Sequence, residues 1–301
     1  MNIWLKQLRS FGEYIALGEK DDREPLCFVL GAGASLSSAA PKTKTLIKRF
    51  NKLTDGRFGA EPANRRGAVE SITEDEKRRA IKDLFRDVKP YVGYRCLAAM
   101  GFTRRVHIFT LNWDTALDEA CRQAGVLLAS ISLDDGPKAL SSALEDNGPG
   151  VVIIHAHGQL DRDHPLRWDT LETLSIDDEC QGILMERVFR YTTVVAGASL
   201  GDLDLQELIG KLSAKDLAPI DTRPMYLLAH QASTGVLGAN IEDWLVSRRS
   251  RFNHVVDPAV DFDLAMIALR SAQVDLPFSK IQREAWHLDL ADWEEIVWPR
   301  P

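Results

Sequence analysis

Short, nearly uncharged apolar runs constrain this chain more than any other feature: Leu26 to Leu30, Val106 to Leu111, Val126 to Ser132, Val151 to His157, Thr193 to Ala198 and Met225 to His230. A strand with one wet face alternates polar and apolar residues; runs like these do not, so both their faces must be covered. The stretches between them carry helical period and punctuation. Thr73 to Val88 opens with the spacing of a capping box, Thr73 and Glu76, and puts Ala80, Ile81, Leu84, Phe85 and Val88 on one face. Asp114 to Gln123 turns Leu117, Ala120 and Cys121 inward and meets a stop signal at Gly125. Doubly buried strands alternating with helices predict an α/β fold, Rossmann-like, with a mostly parallel sheet, helices on both faces and an inserted helical subdomain. Ligands of such sheets sit at the carboxyl ends of the strands.

The insertion is the excursion from Thr43 to Thr103, whose stretch Asp55 to Ser71 is rich in Gly, Arg and Asn and has little period. A loop of this kind serves as a lid over a ligand or is a plain decoration. With no repeat, low-complexity tract or linker in view, residues 1–301 are expected to form one domain. Hydrophobic residues make up 45% of the 301, enough to bury a core without staples. Cys27, Cys96, Cys121 and Cys180 stand singly, so no CxxC pair offers zinc its chelate spacing, no metal is expected, and a reduced, cytoplasmic setting follows. The N-terminal stretch lacks the apolar core of a signal peptide, and no run approaches the ~20 apolar residues of a membrane span.

A net charge of -7 argues against nucleic acid as the default partner, because phosphate contacts need concentrated Lys and Arg. The basic clusters Arg65-Arg66, Lys77-Arg78-Arg79 and Arg248-Arg249-Ser250-Arg251 read as solvated faces. Trp244, Trp286, Trp293 and Trp298 read as buried packing or, less simply, as an interface.

Four places carry chemistry, each where an apolar run ends. In Leu30-Gly31-Ala32-Gly33-Ala34-Ser35 the glycines let the backbone approach a pyrophosphate, whose charge the amides at the next helix's N-terminus would meet. Position 36 is Leu36, so the full dinucleotide fingerprint is missing and a plain tight turn is the competing account. In Thr110-Leu111-Asn112-Trp113-Asp114, the two polar side chains suit a carboxamide, a ribose hydroxyl or a water; alternatively Asn112 forms the turn and Asp114 caps the helix. In Ile154-His155-Ala156-His157-Gly158, a strand continuing that far would send both imidazoles to one side, placed for proton transfer near neutral pH, with a structural role the simpler account of His155. In Gly197-Ala198-Ser199-Leu200-Gly201-Asp202, Gly197 permits close approach of a nucleotide and Ser199 offers a hydroxyl to phosphate or ribose; a tight loop with Asp202 capping the next helix is the competing account.

The ordered set GAGAS, TLNWD, HAHG and GASLGD, spanning residues 26 to 204, resembles the sirtuin superfamily pattern of GAGxS, TxNxD, HG and a late GxS loop. Pro41 stands as far behind Gly31 as the proline of the sirtuin GIP stretch does, with Ala39 and Ala40 in place of Gly and Ile. The resemblance implies that NAD+ is the substrate. It implies that Asn112 organises the nicotinamide ribose and attacking water, that His157 is the general base, and that Asp114 holds the carboxamide. Gly31, Ala32, Gly33, Ser35, Pro41, Thr110, Gly197 and Ser199 would line the rest of the dinucleotide site.

Departures from the protein deacylases are equally specific. Lys42-Thr43-Lys44 replaces their DFR, Leu111 replaces their Gln, and their paired CxxC motifs are missing. The chain is thereby more similar to bacterial antiphage effectors that hydrolyse NAD+, which implies a homo-oligomer or a separately encoded partner such as an ATPase. A silent NAD-binding sensor and, last, an NAD-dependent deacylase are the alternatives.

Overall fold

The computed structural model describes residues 24–56, 71–146, 148–167, 177–197, 225–228, 252–256 and 262–273. Its sheet is built from β1 (Leu26–Leu30), β2 (Arg105–Thr110), β3 (Leu128–Ser132), β4 (Gly150–His155), β5 (Thr193–Ala196), β6 (Met225–Leu228) and β7 (Phe252–Val256). Every pairing is parallel, in the order β3-β4-β2-β1-β5-β6-β7. The order reverses beside β1, with β2 on one side and β5 on the other, which makes the carboxyl ends of these strands the topological switch point.

The helices are α1 (Thr43–Leu53), α2 (Glu74–Phe85), α3 (Val92–Met100), α4 (Ala116–Ala124), α5 (Gly136–Ala143), α6 (Asp178–Arg187) and α7 (Phe262–Gln273). Alternate residues of each central strand feed two separate cores. Phe28, Ile108, Ile153 and Val194 pack with residues of α3, α4 and α7, whereas Val29, Phe109, Ile154 and Val195 pack with residues of α5 and α6. That two-sided burial is why the strands carry so little charge.

The capping box forms: Glu76 N–H donates to Thr73 Oγ1 and Thr73 N–H to Glu76 Oε2, starting α2 where the sequence spacing expects it. Gly125 closes α4 in the left-handed region at φ 72. A third core, Leu46, Ile47, Phe50, Ile72, Ala80 and Ile81 with Trp113, Leu160 and Leu166, joins α1 and α2 to the loops after β2 and β4. Helix α3 lies in the same chain excursion yet belongs to the first core, with Tyr94, Cys96 and Leu97 all buried there.

In the cluster Lys77-Arg78-Arg79 only Arg79 is exposed as its charge implies; Lys77 and Arg78 are not. Lys77 is 7% exposed and its Nζ lies 2.6 Å from Glu74 Oε2, while the Arg78 guanidinium donates to the carbonyls of Arg162 and His164. These cations fasten α2 to the loop after β4. Arg65, Arg66, Arg248 to Arg251 and the four C-terminal tryptophans lie outside the described residues, as do 57–70 of the expected lid. No helix among the described residues is long and apolar enough to cross a membrane.

Candidate functional site

The carboxyl ends of β4, β2, β1 and β5 stand side by side, so the chain segments leaving them meet. After β1 the chain enters a 3-10 turn, Ala32–Ser35. The expected α-helix N-terminus behind the glycines is corrected here, since α1 begins only at Thr43. Gly33 N–H donates to Gly197 O at 2.6 Å, and Gly31 N–H to Ala196 O at 3.1 Å. A Cβ on Gly33 would stand 2.6 Å from Gly197 O. One on Gly197, at φ +65, would collide with the Ala34 amide nitrogen and lie 2.9 Å from Ala34 Cα and Cβ. The two glycines therefore permit a crossing of the β1 and β5 loops by backbone alone.

The segment leaving β2 is tied into that crossing. Leu111 N–H continues the ladder to Leu30 O, and Asn112 N–H turns back on Thr110 Oγ1 at 3.1 Å. The Asn112 side-chain amide donates to Gly31 O at 3.0 Å and to Ser35 Oγ at 2.9 Å, with Tyr94 OH at 3.2 Å. Ser35 Oγ donates to Asp114 Oδ2 at 2.7 Å, and Asp114 Oδ1 accepts from Ala116 N–H at 3.1 Å. Asp114 thus both starts its helix and joins the cluster. Asn112 does more than form a turn, because its side chain spans two strand ends.

Burial raises the Asp114 carboxyl above its ordinary value; the bonds from Ser35 and Ala116 and the nearby His155 pull it down, and Asp118 adds to the rise. Burial likewise pushes the Tyr94 phenol well up, Asp114 adding to it.

Beneath lies a second buried group. Asp118, one helical turn beyond Asp114, accepts from Ser130 Oγ at 2.5 Å and from Gln159 Nε2 at 3.3 Å. His155 Nε2 lies 3.2 Å from Asp118 Oδ2, a close contact that is not aligned as a hydrogen bond. Burial alone would raise Asp118; His155, Ser130 and Arg122 outweigh it and hold the carboxyl below its ordinary value.

β4 stops at His155, which pairs with Thr110, so the alternation expected to aim both imidazoles one way does not extend to His157. His157 is instead set by its loop. Its carbonyl accepts from Arg167 N–H at 2.9 Å, and Gly158 follows at φ +83, where a Cβ would collide with Pro165 O. The loop runs beside the Asn112 segment: Ala156 N–H donates to Thr110 O at 3.0 Å, Leu160 N–H to Trp113 O at 3.1 Å, and the Trp113 indole to Arg167 O at 3.0 Å. The Arg167 guanidinium donates in turn to Asp134.

Gly31, Gly33, Ser35, Thr110, Asn112, Asp114 and Gly197 are thus joined by direct bonds or close approach, with His157 in the loop leaving the adjoining strand. Ala32 is exposed on the turn, Pro41 is half-buried on the stretch leading to α1 and outside this bonded set, and Ser199 lies outside the described residues. Sequence reasoning missed Tyr94, Asp118 and Gln159. The only sequence signal was polarity inside otherwise apolar stretches, such as the Tyr94 hydroxyl in Val92–Met100.

The donor set (amide, hydroxyl, carboxylate and imidazole at one strand edge) fits a dinucleotide's ribose and carboxamide. Among the described residues no group of three or more His, Cys, Asp or Glu side chains forms a metal site. Residues 106–251 match the family model described as SIR2-like domain. The match takes in Thr110, Asn112, Asp114, His157 and Gly197, whereas β1, its glycine turn and Tyr94 precede it. No curated protein matches the chain.

Proposed function

Because this chain carries a SIR2-like domain of the sirtuin-like superfamily over residues 106–251, we propose that it is an NAD+ glycohydrolase that cleaves the nicotinamide–ribose bond. The observation that supports this most is the Asn112 carboxamide, fixed between Gly31 O and Ser35 Oγ beside the loop after β4 that carries His157. Its Nδ2 is committed to the protein, so its Oδ1 is the atom offered to the ribose and a water.

The N-glycosidic bond breaks, its electron pair leaving with neutral nicotinamide. The oxocarbenium-like ribose is met by the Asn112 oxygen while the Asp114 carboxylate holds the nicotinamide carboxamide, a preorganised environment that needs no rearrangement during the reaction. Water then bonds to the ribose C1′ and gives its proton to His157, so that NAD+ and water yield nicotinamide, ADP-ribose and a proton. Gly31, Ala32, Gly33, Ser35, Pro41, Thr110, Gly197 and Ser199 line the remainder of the dinucleotide on this assignment.

The enzyme acts in the cytoplasm as an antiphage effector that depletes NAD+, as one domain in a homo-oligomer or with a partner such as an ATPase. The motif departures at Lys42-Thr43-Lys44 and Leu111, away from deacylases, support this. Purified protein incubated with NAD+ releases free nicotinamide, and Asn112→Ala and His157→Ala each lower the rate by about 100-fold or more, the scale of losing a positioned acid–base or charge-stabilising group. Full turnover in both folded variants rejects the assignment. Activity on acyl-lysine peptides would redirect it to deacylation.

A further inference from the structure

The hydroxyl of Tyr94 is a fully buried polar group on α3. Its ring is 1% exposed and lies edge-on to Phe262 with centroids 5.7 Å apart. Asp263, the next residue of α7, accepts from Gly93 N–H at 2.7 Å, so α7 fixes both the ring of Tyr94 and the backbone that carries it. The phenol oxygen reaches Ser35 Oγ at 2.6 Å and Asn112 Nδ2 at 3.2 Å.

Counting protons gives these contacts a direction. Ser35 has one hydroxyl hydrogen, and an ionised Asp114 can only accept, so that hydrogen goes to Asp114 Oδ2. The short Tyr94–Ser35 contact must then be donated by the phenol. Ser35 Oγ accepts twice, from Tyr94 and from Asn112, which saturates it and leaves the Asn112 amide group no second orientation with equal bonding. A flipped Asn112 would place its Oδ1 against Gly31 O, acceptor against acceptor.

Resting on the glycohydrolase assignment above, we infer that Tyr94 is a positioning residue, which through Ser35 locks the Asn112 carboxamide with its oxygen toward the ribose. Helix α7, beyond the residues that match the SIR2-like model, thereby contributes to the site without touching substrate.

The test uses the full chain, wild type and Tyr94→Phe, with three measurements: thermal melting, steady-state nicotinamide release, and the NMR signal of the Asn112 side-chain amide, identified by its loss in Asn112→Ala. In folded Tyr94→Phe, kcat falls about tenfold or more while KM for NAD+ stays within about twofold, because the lost bond sets orientation rather than affinity. The Asn112 amide hydrogens also shift and exchange faster with solvent. A purely structural tyrosine would lower the melting temperature and leave both the kcat–KM split and the amide signal unmoved, and that result overturns the inference. Should Tyr94→Phe fail to fold, Phe262→Leu, which slackens the ring from behind, is judged by the same two readouts. A wild type that releases no nicotinamide refutes the glycohydrolase assignment instead, and the amide signal still decides the role of Tyr94.

Discussion

Replacing Gly197 by Ala isolates the energetic core of the site, because Gly125 supplies a matched control. Both glycines occupy the left-handed region, at φ 65 and φ 72. At Gly125 an added Cβ meets nothing within 4 Å, so Gly125→Ala carries only conformational strain. That strain is roughly 1–2 kcal/mol, offset by about 0.4–1 kcal/mol from the stiffer unfolded chain, for a net loss near 1 kcal/mol. At Gly197 the same methyl also enters the Ala34 backbone, and relief requires the β1 and β5 loops to part.

Parting them adds an overpacking cost of about 1–3 kcal/mol. It also breaks the bond from Gly33 N–H to Gly197 O, worth about 1 kcal/mol. Gly197→Ala therefore destabilises by about 3–5 kcal/mol in total, some 2–4 kcal/mol more than Gly125→Ala. Urea unfolding of both variants, compared at equal m-value, reads the difference directly. Losses that agree within about 0.5 kcal/mol would show that the two loops do not cross by backbone contact, and the shared site would have to be rebuilt.

Four further outcomes follow from the same geometry. Asp118→Ala strips Ser130 and Gln159 of their common acceptor, removes the carboxylate beside His155, and costs about 3 kcal/mol; an unfolding midpoint equal to the wild type's contradicts a buried network. For Asp114 the raised carboxyl is protonated at a higher pH than a free aspartate. Its contribution to stability is thus complete below the ordinary value of 3.8 and lost as pH rises through the folded value, while nicotinamide release fails on acidification already above 3.8. Ser35→Ala removes a bond that lowers this carboxyl, so its acid limb in kcat/KM moves further up, and an unmoved or lowered limb refutes the pairing. Finally, Ala39 sits at φ 66, where a Cβ is strained, so Ala39→Gly gains about 0.5 kcal/mol and a slightly higher Tm after the entropy cost of glycine is deducted; a lower Tm would rule out that backbone conformation.

Much of this protein was legible from residue order. The uncharged runs announced strands buried on both faces, Thr73 and Glu76 marked the start of α2, and polar residues clustered just where apolar runs stop. Each of those signals is local, set by the period of a strand or the unpaired amides of a helix end. β7 escaped notice because Asn253 and His254 interrupt its apolar character at the edge of the sheet.

Tertiary structure alone decided who meets whom. A tyrosine in α3 looks like any core aromatic until the 3-10 turn after β1 brings Ser35 to its hydroxyl. The contact of Gly33 with Gly197 is invisible until the strand order sets the two loops together, and Lys77 and Arg78 of α2 look solvated until the loop after β4 presents its carbonyls to Arg78. Periodicity fixes which side of an element is buried. The partner it is buried against depends on the order in which distant strands line up, and that is settled by packing across the whole sheet.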